Sequence, residues 1–212
     1  MPFQPGFRGR APLTLAFFAS ATATGASPAT LTYPGSILAG DLIFLGNFGR
    51  NNAGGSAQVS PAGYTGIFDQ DTLSNTRAYL GVKIAAGGET TPSLTTGGVE
   101  NNKFVVVFRP NRPIQSVTIA STHIEQTDSA PAGQTITSAS GVPPLVALAG
   151  YRSSAAVSSR GFSPAADAEI SPSTLAYVKY KIFNGAGADE SISMADDGNS
   201  NSLWSLYASC LG

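Results

Sequence analysis

Charge is scarce in this sequence. Asp, Glu, Lys and Arg make up 12% of the 212 residues, about half of the ~25% usual in soluble domains. With 12 basic and 13 acidic side chains the formal net charge is −1. No global basic field therefore draws the chain to nucleic acid or to an anionic membrane surface. A monomer ordinarily stays soluble through scattered surface charge. A surface this neutral fits contact with other subunits, because interface cores are depleted of charge. The single cysteine, Cys210, excludes an internal disulfide framework and a cysteine-based zinc site. The single histidine, His123, leaves neither a three-histidine zinc centre nor a choice of base for a Ser-His-Asp triad. No G-x-S-x-G elbow, phosphate loop or dinucleotide fingerprint occurs. No apolar run approaches the ~20 residues of a membrane-spanning helix, and no segment carries capped helical periodicity.

What is present is glycine (24), proline (14) and many short apolar runs between turn signals. Asp41–Phe48 (DLIFLGNF) lies between Gly40 and Gly49 and reads as a buried strand. In 77–85, Ala78, Leu80, Val82 and Ile84 point one way while Arg77, Tyr79, Gly81 and Lys83 point the other. Lys103–Arg109 (KFVVVFR) is β-branched and aromatic up to Pro110. Further strands are expected over 13–20, 29–33, 63–68, 93–96, 114–124 and 135–140. The fold class is all-β: a jelly-roll-like antiparallel β-sandwich of ten to twelve strands. The sandwich occupies 12–212 as one domain; two consecutive small sandwiches are the alternative.

The sequence also repeats itself. TRAYLGVKIAAGGETTP (76–92) returns as TLAYVKYKIFNGAGADESI (174–192) at an offset of 98 (78→176, 79→177, 83→181, 84→182). Gly161-Phe162 answers Gly63-Tyr64, and Ile192 answers Leu94, at the same offset. Leu145–Tyr151 matches Leu42–Phe48 at 103, with Tyr151 in the place of Phe48, and Leu203–Tyr207 matches Phe104–Phe108 at 99. The halves run over about 40–110 and 143–212. The period is too long for a solenoid or a propeller blade.

Residues 1–11 read as an extended arm. Pro2, Pro5, Gly6 and Gly9 forbid a helix or a long strand. Phe3 and Phe7 are candidate anchors in a neighbouring subunit, with Arg8 and Arg10 seeking carboxylates. Arg8, Arg10 and the apolar 11–23 imitate a secretory signal, but the prolines and the Thr/Ser content argue against cleavage. Asp196-Asp197-Gly198-Asn199, like Asp69 and Asp71, reads as a hairpin turn, with a calcium site as the alternative. Arg109 and Arg112 are too few for a nucleic-acid patch. Tyr79 and Tyr177, on the polar side of their strands, are candidate contacts for a glycan or a protein partner.

GDLIFLGNF, AGYTGIF, RAYLGVKIAAGGETTPSLTT and KFVVVFR together resemble a β-sandwich pattern of bacteriophage and prophage virion proteins. The resemblance covers about 40–110 and carries no catalytic residue. It implies a non-enzymatic structural role as a capsid decoration, head spike or tail/fibre component. The expected partners are other virion proteins and further copies of the chain, with a host surface glycan as a possible ligand. No cofactor, nucleic acid or membrane is expected. The implied location is the virion, assembled in the host cytoplasm. The alternative is a carbohydrate- or receptor-binding module.

Overall fold

The computed structural model of the chain describes residues 11–25, 31–50, 60–73, 76–90, 92, 94, 100–125, 134–137, 145–153, 160–163, 165–184, 191–196 and 200–212. The arm residues Phe3, Phe7, Arg8 and Arg10 lie outside them, as do Asp197, Gly198, Asn199 and the side chain of Asp196. Among the described residues there are thirteen strands and no helix.

One five-stranded antiparallel sheet contains β1 (Leu15–Gly25), β2 (Leu42–Arg50), β3 (Thr65–Leu73), β4 (Thr76–Ile84) and β5 (Glu100–Pro110), in the order β1-β5-β2-β4-β3. A second contains β6 (Ser116–Glu125), β8 (Val146–Ser153), β10 (Ala168–Ser173), β11 (Ala176–Ile182) and β13 (Ser200–Leu211). Its order from β6 is β6-β13-β8-β11-β10. Counted by appearance in its own half, each sheet has the order first-fifth-second-fourth-third. β7 (Gln134–Thr137), β12 (Ser191–Asp196) and β9 (Arg160–Ser163) form a third sheet of three strands. The sandwich is thus wired half by half, without the strand exchange between sheets that a jelly roll shows.

The two large sheets pack face to face around one core. Phe44, Phe48, Leu80, Phe104, Val106 and Phe108 from the first meet Val146, Leu148, Val178, Tyr180, Trp204 and Leu206 from the second. Rings bridge the interface: Trp204 stacks at 5.9 Å on Phe48 and at 6.0 Å on Phe104. Two of these rings, Phe104 and Trp204, each lie over a glycine of the strand beside it. A Cβ at Gly46 would stand 2.2 Å from the Phe104 ring, and one at Gly150 would stand 2.1 Å from the Trp204 ring.

These glycines correct two sequence offsets. Gly46 is the register partner of Phe104 and Leu80, and Gly150 of Trp204 and Val178. The structural correspondences are therefore 46→150 and 104→204, offsets of 104 and 100 in place of the 103 and 99 of the sequence match; 80→178 keeps 98. A one-residue slip exchanges the faces of a strand. That is why Phe48 belongs to the central core while Tyr151, matched to it in sequence, lies in a separate cluster on the opposite face.

Two strand expectations also change. Residues 31–33 form no strand, although Leu31 is buried against the outer face of the first sheet. β10 has no clear apolar alternation and contains Pro172, which an edge position admits. Between the sheets, Asn111 Nδ2 donates to the Pro12 carbonyl at 3.0 Å and Arg112 Nη1 to the Gly212 carbonyl at 2.8 Å. The turn joining the halves thereby holds the start of one sheet and the end of the other.

Gly46→Ala and Gly150→Ala should each destabilise the fold by about 2 kcal/mol or more, since neither ring can retreat from a packed interface. Phe104→Leu should recover part of the loss in the Gly46→Ala background. Urea denaturation of the single and double variants measures both effects.

Candidate interaction site

The sandwich has two lateral seams where the edge strands of the two sheets face each other. At one, β1 lies beside β10; at the other, β3 lies beside β6. The first seam is closed by rings. Phe17 of β1 stacks on Tyr180 of β11 at 5.2 Å and 12°, and Phe108 meets Tyr180 edge-on at 5.4 Å. The second is an open groove of about 510 Å³, lined by Ile67, Val82, Ile84, Val117, Ile119 and Ser121 among others. Such a volume falls within the range of ligand-holding clefts. Among the described residues β3 pairs only with β4 and β6 only with β13, so both walls of the groove carry an unpaired backbone edge.

A smaller polar cleft of about 230 Å³ adjoins it, sharing Lys83. The hydroxyls of Tyr33 and Tyr64 share a hydrogen bond at 2.6 Å, and the Lys83 ammonium lies 5.6 Å from the Tyr64 ring centre. Lys83 also pairs with Glu89, whose other oxygen accepts from the Ala86 amide at 2.7 Å. Burial works against the Glu89 carboxylate, but Lys83 and the backbone donors outweigh it and hold its pKa below the usual value. Burial raises the pKa of both tyrosines, so both hydroxyls stay protonated. The cleft offers the half-exposed Tyr33 ring beside a cation and a carboxylate, over the buried Tyr64. Nothing in its four sequence segments links them until the turn at 85–90 folds back.

At the other end of the same sheet, Asp41 and Arg109 form a two-pronged pair. Arg109 Nε and Nη2 donate to the Asp41 carboxylate at 2.9 and 2.8 Å, and the guanidinium lies 3.7 Å from the Phe18 ring centre. Asp41 is 1% exposed and also accepts from the Leu38 amide at 2.9 Å. The hydrogen bond to Asp41 leads in raising the Arg109 pKa. Arg109 is thus committed to a fixed partner, as a charge at a strand end must be when its carboxylate is buried.

Tyr79 and Tyr177 need correcting as surface contacts. They do point away from the central core, but at 1% and 3% exposure neither ring is available for stacking. Tyr79 lies beneath a covering layer that includes Leu31, Ile37, Tyr64 and Leu94, with its hydroxyl over Gly81. Tyr177 packs with Ala149, Tyr151 and Phe162 of β9, and its hydroxyl donates to the Thr174 carbonyl. No cluster of three metal-ligating side chains occurs among the described residues.

The single cysteine is buried and the single histidine half-buried. Burial pushes the Cys210 thiol up to about 12. His123 stacks on Phe68 at 4.9 Å, and burial pushes it down to about 4. An unfolded histidine titrates near 6.5. The unfolded chain therefore takes up this proton first, and stability falls as the pH drops from about 6.5 towards 4. His123→Phe keeps the stack and removes the titration. Urea titrations at pH 7 and pH 4.5 should show the variant losing less stability than the parent, by on the order of 1–3 kcal/mol. Equal acid sensitivity would count against this assignment. Cys210 should resist thiol reagents at pH 8 until denaturant unfolds the chain, which dithionitrobenzoate absorbance follows directly.

No protein-family model, no curated protein and no solved structure matches this chain.

Proposed function

We propose that this chain is a non-enzymatic virion structural protein, a capsid decoration, head spike or tail/fibre component, that works by assembling with other virion proteins and with copies of itself. The observation that carries this reading is the open seam: a groove of mixed aliphatic and polar lining between two strand edges that are unpaired among the described residues, on a chain whose charged content is only 12%. Unpaired edges invite strand addition unless charge, bulges or a cover block them. A subunit that meets its neighbours through such edges has little use for surface charge at the contact. Cys210 is buried with its pKa raised and the half-buried His123 is stacked on Phe68 with its pKa lowered, so both are poorly suited to nucleophile-and-base chemistry.

The polar cleft favours a second reading, a carbohydrate-binding role. Tyr33 presents a half-exposed ring beside Lys83 and Glu89, with the Tyr64 hydroxyl behind it, a combination suited to stacking on a sugar ring and hydrogen bonding its hydroxyls. This cleft replaces Tyr79 and Tyr177 as the place to look for a host surface glycan.

Multi-angle light scattering across a hundredfold concentration range should show self-association, and co-sedimentation with phage-like particles should show retention. A chain that stays monomeric throughout and sediments with no particle overturns the assembly reading. Glycan-array binding that disappears in Tyr33→Ala would favour the carbohydrate reading.

A further inference from the structure

The shared strand order makes the two seams comparable residue by residue. Phe17 pairs with Phe108 across β1 and β5, and Ile119 pairs with Ala208 across β6 and β13. At the offset of 100 that relates Phe104 to Trp204, Phe108 corresponds to Ala208, so Ile119 stands where Phe17 stands in the other seam. Val82 likewise corresponds to Tyr180, both being partners of equivalent residues, Phe44 and Leu148. The closed seam is therefore shut by an aromatic pair. The open one has a small aliphatic pair, Ile119 and Val82, in the same two places. The groove is the space where two rings are missing.

We infer that this groove receives the Phe3 and Phe7 side chains of the arm Met1–Arg10 from a second copy of the chain. The inference rests on the reading of the chain as an assembly subunit, and it names the partner. Two dimensions agree. Val117, Ile119 and Ser121 line the groove along five residues of β6, four steps or about 13 Å of strand. Phe3 and Phe7 are also four residues apart, and Pro2 and Pro5 favour an extended backbone that places them about 12–13 Å apart. Ten residues precede the first described one, and such a segment reaches up to about 33 Å when extended. That exceeds the roughly 19 Å width of a five-stranded sheet, so the arm can leave its own sandwich and seat on another. Prolines are tolerated beside a strand edge, where only some backbone groups must pair.

The test uses the full-length chain. Phe3→Ser/Phe7→Ser should weaken self-association by roughly tenfold for each ring lost from the aliphatic wall of Ile67, Val82, Ile84, Val117 and Ile119. Val82→Tyr/Ile119→Phe, which copies the closed seam into the open one, should weaken it comparably. Because the filled-groove variant could fail to fold, a second measurement leaves the groove unchanged. A synthetic peptide MPFQPGFRGR should dissociate the parent oligomer, and it should bind the Phe3→Ser/Phe7→Ser chain by fluorescence anisotropy. Self-association that survives both double substitutions and excess peptide overturns the inference and leaves the assembly reading standing. A parent chain that is monomeric at every concentration, yet binds the peptide once its own phenylalanines are removed, puts the arm in its own groove. That outcome overturns the second copy as its source. A peptide that neither binds nor dissociates overturns the arm as occupant.

Discussion

An aromatic ring laid over a glycine, once in each sheet, is the contact on which the rest of this sandwich depends. Phe104 covers Gly46 and Trp204 covers Gly150 at distances that leave no room for a Cβ. The two rings then stack on each other across the interface. Large rings can fill a thin interface only if the neighbouring strand of their own sheet gives way, and glycine gives way most completely. This fixes the inner face of β2 and of β8. Alternation carries that choice along every neighbouring strand. The burial of Phe48, the outward direction of Tyr79 and Tyr177, and the placing of Ile119 and Val82 in a seam all follow from it.

Period two makes much of this legible in the amino-acid order alone. The strands at 76–84 and 176–182 alternate so cleanly that their inner residues can be named from it. Register between the halves is less legible. Loop lengths between the repeats drift, and a match of apolar residues tolerates a slip of one that a pleated strand does not. Only the pairing of a glycine with a ring resolves it, and that pairing lies between strands far apart in sequence. The fate of Tyr79 is hidden for a different reason. Alternation tells which side a residue faces, but says nothing of what covers that side. The cover comes from Leu31, Ile37 and Leu94, in segments without periodicity. The Tyr33–Tyr64–Lys83–Glu89 cleft leaves no mark in the sequence because four separate segments build it.

The outer faces also explain why so apolar a chain is not simply sticky. On the first sheet, loop residues lie over Ile43, Leu45 and Val107. On the second, Phe162 of the small third sheet lies over Ala147, Ala149 and Tyr207. Two buried polar side chains of the first sheet are tied down: Lys103 donates to the Leu94 carbonyl at 2.6 Å, and Asn47 to Asn101 at 3.0 Å. Among the described residues, the outer faces of both sheets are thus partly covered, while the β3–β6 seam stays open. A seam gives direction to an association, where an uncovered face would permit indiscriminate aggregation.

The half-by-half wiring has a further consequence. Residues 15–110 complete one sheet and residues 116–211 the other, two stretches of equal length joined by a short turn. As the chain leaves the ribosome, the first sheet has all its strands before the second has begun. Its aromatic face must then wait for a mate, and in a crowded polysome the nearest one can belong to a neighbouring chain. The short turn, held by Asn111 and Arg112 to both ends of the sandwich, raises the local concentration of the correct half over any stranger's. A molecule built this way behaves like a dimer that carries its own partner on a leash, and the length of that leash guards it against exchanging halves.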